Sequence, residues 1–152
     1  MQLSEIVVGL GAPAFEDMLK HVSMGKLKTY KLFERVKTRC HVNKLNTETL
    51  RKSAPRLWDR MAAADDELAT ELTQAILICH LELIVDVLNF LGIPHEDGFF
   101  AKDAEVAGYL KDGWQERCYD EFSGKHPKSV LLLYLNHLGW EMAKTETVFN
   151  RA

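Results

Sequence analysis

The residues of this chain best placed by type to do chemistry are His80, His137 and Glu141. His80 and His137 lie on two strongly apolar segments, and Glu141 follows His137 by four residues, which puts that pair on one helix face. Two imidazoles and a carboxylate, with water in the fourth position, form a catalytic zinc set, so these three are the candidate metal ligands. Glu82 stands two residues beyond His80. The competing reading is simpler: one histidine on each buried helix satisfies a hydrogen bond, with Glu141 the natural partner of His137.

A second constellation is electrostatic. Lys28, Lys31, Arg35 and Arg39 form a stripe on the 27–41 segment, opposite Leu32, Phe33, Val36 and Cys40. Lys44, Arg51, Lys52, Arg56 and Arg60 follow, with Trp58 among them. The stripe is the candidate contact for an anion or a partner, and nucleic-acid binders neutralise phosphates with such footprints. The sequence pI of about 6.1 argues against a dedicated binder. Lys125, His126, Lys128 and Ser129 surround the start of the last helix, where its dipole favours an anion.

Other motifs lack their context. Gly9-Leu10-Gly11-Ala12-Pro13-Ala14 has the glycine spacing of a dinucleotide-binding turn, but no βαβ unit follows and Pro13 removes a backbone donor. His80-Leu81-Glu82 has the HxE spacing of zinc deaminases without a PCxxC. There is no HExxH, Glu-x-x-His, GxSxG or phosphate-binding GxxxxGK[ST]. The acidic loop His95, Glu96, Asp97 and Asp103 lacks the ligand spacing of a calcium loop and reads as a solvated turn, with Phe99 and Phe100 returning to the core.

The elements that must position these residues read as helices. Pro13 opens one that runs to about Val22, and the basic segment 27–41 is the next. Thr47 caps another, broken near Ala54 by Pro55. Asp65 or Asp66 caps the main helix, which runs to Leu91 and ends at Gly92 and Pro94. A loop at 93–101 leads to a helix over 103–122, weakened by Gly108 and Gly113. Pro127 opens the last helix. Leu88–Gly92 (LNFLG) recurs as Leu135–Gly139 (LNHLG), 47 residues later, a period compatible with helical-pair repeats.

The expected fold is all-α: a single-domain compact bundle of about six helices over residues 1–152. Segments 66–91 and 127–143 are its central buried helices, and residues 1–12 a Gly-containing N-terminal arm free to flex. Three cysteines without a CxxC, an N-terminus with no basic start, and a longest apolar run of only Val130–Leu135 point to a cytoplasmic protein with no membrane span.

Charge is divided along the chain. Residues 1–60 carry twelve Lys and Arg against six Asp and Glu, whereas residues 61–152 carry seven against sixteen. Together with two helices apolar almost all round, this favours protein–protein contact or self-association as a homodimer, without catalysis and with no cofactor. The alternatives are a nucleic-acid-associated protein using the 27–41 helix, and a metal-dependent bundle enzyme.

Overall fold

The structure is a computed structural model that describes residues 1–23 and 47–151. Over these residues it is a mostly all-α compact fold. The helices are α1 (Leu3–Leu10), α2 (Ala12–Lys20), α3 (Thr47–Lys52), α4 (Ala54–Ala62), α5 (Asp66–Ile78), α6 (Leu81–Leu91), α7 (Trp114–Phe122) and α8 (Lys128–Ala143). A two-stranded hairpin, β1 (His95–Glu96) and β2 (Phe99–Phe100), and a 3-10 turn at Val106–Tyr109 join α6 to α7. No single helix among the described residues is long and apolar enough to cross a membrane.

The core is built around α8. Its sequence is apolar on every side, and Val130 to Leu135 are all buried, so the helix must be surrounded. α1, α2, α5, α7 and the 3-10 turn supply that cover. Local signals act where the residues place them. Asp65 accepts a hydrogen bond from Leu68 N–H at 3.1 Å and starts α5. Pro55 sits in the first turn of α4, so α3 stops before it. Gly92 takes the left-handed conformation that ends α6 (φ 75°), and Pro127 precedes α8.

Residues 1–12, expected as an arm free to flex, are instead part of the core. Leu3, Ile6, Val7 and Leu10 line one face of α1 and are buried against α4, α5 and α8. Asp66, 62 residues away, accepts a hydrogen bond from Ser4 N–H at 3.0 Å and so satisfies an open donor at the start of α1.

The 66–91 stretch is central and buried, but it is two helices meeting at 84°. A straight helix of that length would run roughly 39 Å. The bend instead turns Leu83, Val87 and Leu88 back into the core. At the corner, His80 Nε2–H donates to the His21 carbonyl at 2.8 Å and the Cys79 thiol to Ala75 O at 3.4 Å.

The expected 103–122 helix forms only from Trp114 onwards. Asp103 and Gly113 both adopt positive φ (66° and 78°), which a continuous helix does not tolerate. Trp114, Cys118 and Phe122, at four-residue steps, are the buried face of α7. The two LNxLG segments also differ: Gly92 ends a helix, whereas Gly139 lies inside α8, where a Cβ would stand 3.1 Å from Trp114 Cζ2.

Candidate functional site

His80, His137 and Glu141 are not brought together as a ligand set. His80 turns to the end of α2, with its ring 6.4 Å from that of His21. His137 Nδ1 lies 3.3 Å from Glu141 Oε2, the i,i+4 partner. Among the described residues no group of three His, Cys, Asp or Glu side chains is placed to hold a metal ion. Burial lowers the pKa of His137, and Glu141 opposes that shift. Burial also pushes the Cys118 thiol up to about 12 and raises Tyr134.

The basic stripe Lys28, Lys31, Arg35 and Arg39 lies outside the described residues. Three of the four residues in the cluster before α8 are matched to acidic side chains, and Lys128 is exposed beside them. His126 Nε2 is 2.7 Å from Asp86 Oδ2, Ser129 Oγ donates to Asp17 Oδ2 at 2.8 Å, and Lys125 Nζ is 3.1 Å from Glu121. Arg51, Lys52 and Lys20, with Glu16 and Glu48, surround a cleft of about 600 Å³ between α2, α3 and α4. Beside it, Phe15, Pro55 and Trp58 line a smaller pocket of about 190 Å³.

Among the described residues the most exposed large apolar side chain is Phe99, on the hairpin that follows α6. Asp97 and Gly98 both have positive φ (52° and 91°), the two-residue type I′ turn that Asp-Gly favours. It pairs His95 with Phe100 and Glu96 with Phe99. The turn is pinned from below: His95 Nδ1 accepts from Gly98 N–H at 3.1 Å, and His95 Nε2–H donates to Asn89 Oδ1 at 2.7 Å. Gly98 packs against Ile84 and Val85.

Adjacent strand residues point to opposite faces. Phe100 therefore packs on the core, whereas Phe99, expected to return there, is 67% exposed. Leu81, Val85, Glu82, Asp86 and Asp97 outline a shallow depression of about 340 Å³ beside it. The result is a fixed aromatic knob beside Glu96, Asp97 and Lys102. The Asp97-Gly98 pair is the sequence signal that marks this hairpin, which stands where a plain loop over 93–101 is expected.

A second built feature lies on the opposite run of the chain. Residues 145–151, which form no helix or strand, cross α8, α1 and α7 as a strap. Val148 packs on Gly9, where a Cβ would stand 2.9 Å from Val148 Cγ2. Asn136 Nδ2 donates to Phe149 O at 2.8 Å, and Phe149 N–H donates to Asn136 Oδ1 at 2.7 Å. Asn150 Nδ2 donates to Gly9 O at 3.3 Å, and Phe149 meets Tyr119 edge-on at 6.3 Å. Set against protein-family models, curated proteins and solved structures, the chain matches none.

Proposed function

We propose that this chain is a protein-docking module with no catalytic role of its own, presenting the α6–hairpin face to a basic protein surface. The observation that carries the reading is Phe99, 67% exposed on a pinned turn beside Glu96, Asp97 and Lys102, with Glu82 and Asp86 in the neighbouring depression that Asp97 shares. A rigid exposed aromatic loses little entropy on burial, and aromatic anchors dominate interface energies. The surrounding carboxylates select a cationic partner and speed encounter.

The partner is a second copy of this chain. Its residues 1–60 carry twelve Lys and Arg against six Asp and Glu, and Lys20, Arg51 and Lys52 edge an open cleft together with Glu16 and Glu48, with Lys52 Nζ 3.3 Å from Glu48. Light scattering on the full chain tests this. Self-association is expected at low ionic strength and is weakened when salt rises to roughly 0.5 M, where the Debye length falls to a few ångströms. Phe99→Ser and Glu96→Lys, both at exposed positions, each weaken it about tenfold with the melting temperature unchanged. A chain monomeric at low salt, or association unaffected by Phe99→Ser, rejects the reading.

A further inference from the structure

The strap at 145–151 occupies a groove that reads its occupant closely. Asn136 is 2% exposed and follows directly on the fully buried run Val130–Leu135 of α8. Its carboxamide meets both backbone groups of Phe149, as a neighbouring strand would, and without an occupant Oδ1 loses the donor it accepts from. Gly9 leaves space for the Val148 side chain, Tyr119 faces Phe149, and Arg151 lies 3.4 Å from Asp120 Oδ1. These positions specify an apolar residue, an aromatic and a cation in that order along the strap.

The hinge that seats the strap is strained. Lys144, which ends α8, holds φ 53° and ψ 36°, a left-handed conformation that a residue with a side chain adopts reluctantly. The strap also leaves a cavity of about 370 Å³ open beside Thr145 and Phe149, against Trp114 and Gln115 of α7.

We propose that this groove is an exchange site, in which residues 145–151 of a second copy replace the chain's own strap and join two copies. The sequence that fits the groove is this chain's own, which identifies the partner. Relaxing Lys144 to a helical φ continues α8 and swings the strap outward. The bonds and packing that hold the strap then re-form between copies, and the hinge strain is relieved, the usual basis of exchange between protomers. This interface does not involve the hairpin face. Backbone pairing and apolar packing hold it, so it persists at salt concentrations that dissolve charge-driven docking.

Two full-length variants test it in high salt. Val148→Asp breaks the strap and leaves the groove open; Gly9→Val fills the groove and leaves the strap intact. Mixed, they are expected to give a heterodimer of twice 17.4 kDa by light scattering and native mass spectrometry, which neither forms alone. A mixture that stays the sum of its two parts overturns the exchange. If circular dichroism shows either variant unfolded, full-length Arg151→Glu takes its place, and a synthetic peptide of residues 144–151 is titrated against it. The peptide is expected to bind at least tenfold more tightly than to the wild type, whose own strap competes at high effective concentration. Equal binding, or none, overturns the proposal. Loss of low-salt association on Phe99→Ser concerns the hairpin face and leaves this outcome unchanged.

Discussion

Asn136 and Phe149 are joined by two hydrogen bonds of 2.7 and 2.8 Å, one to the Phe149 N–H and one to its carbonyl. The second Asn136 N–H donates to Leu132 O at 2.8 Å, so every hydrogen of the amide is used. A polar side chain is thus tolerated at the centre of the fold because the strap, thirteen residues on, supplies its partners. Met1 and Trp140 reinforce the same region: Trp140 Nε1–H donates to Met1 O at 2.9 Å.

Asn136→Ala leaves both Phe149 groups unpaired. The expected loss is about 2 kcal/mol in urea unfolding, the cost of part-buried backbone groups without partners. Hydrogen exchange at the Phe149 amide should quicken more than at the α8 core amides. A loss within about 0.5 kcal/mol would mean that the strap is held by its side chains instead.

Gly9 and Val148 should couple strongly. Alanine in a helix normally gains about 1 kcal/mol over glycine. Here the new Cβ would stand 2.9 Å from Val148 Cγ2 and 3.2 Å from its Cβ, and a β-branched side chain has little freedom to turn aside. Gly9→Ala is therefore expected to destabilise the wild type, and to cost clearly less in the Val148→Ala protein, which loses both methyl groups and keeps only the Cβ contact at 3.2 Å. The double-mutant cycle reads the difference directly, and simple additivity would show that the two do not press on one another.

The contrast between the two LNxLG segments is also testable. Gly92→Ala meets nothing within 4 Å but must hold φ 75°, a cost of about 1 kcal/mol. Gly139→Ala has a helical backbone, but its Cβ would stand 3.1 to 3.3 Å from Trp114, Gln115 and Thr145. It is expected to cost about 1–3 kcal/mol by overpacking. The Trp114 near-ultraviolet signal gives an independent readout, and it should change for Gly139→Ala and not for Gly92→Ala.

What the residues announce locally was legible: the Asp65 cap, the break before Pro55, the left-handed Gly92, and α8 as a surrounded helix. What depends on distant partners was not. α1 is a short apolar helix whose Gln2 cap makes no side-chain bond, and Asp66 supplies the missing acceptor from far along the chain. The 84° corner at Cys79–His80 contains neither glycine nor proline; the His21 carbonyl and the limited span of the core select it. The hairpin strands, two residues each, are too short to show a period. The metal set dissolved because each histidine found a nearer partner, His21 O for His80 and Glu141 for His137.

Cys118 is fully buried on α7, and burial pushes its thiol up to about 12, despite Arg117 acting in the opposite direction. The reactive thiolate is then scarce at neutral pH as well as shielded. Labelling by a thiol reagent is expected only as fast as the fold opens, so Cys118 modification should track urea-induced unfolding. Labelling well below the unfolding transition would mean that α7 detaches from α8 on its own.

His137 makes stability depend on pH with a definite sign. Burial lowers its pKa below the usual 6.5, and Glu141 only partly opposes this. The folded chain therefore binds this proton less readily than the unfolded chain does. Above pH 6.5 both states are largely neutral and the full contribution is present. As pH falls through 6.5 the unfolded chain takes up the proton first, so stability drops by at most about 1.4 kcal/mol per pH unit until the folded pKa is reached. His137→Gln should flatten this part of the curve relative to the wild type. Glu141→Gln, which removes the opposing charge, should extend the decline to lower pH. Urea unfolding from about pH 7.5 down to about pH 5 measures both, and identical slopes in wild type and His137→Gln would show that burial of this imidazole does not govern the decline.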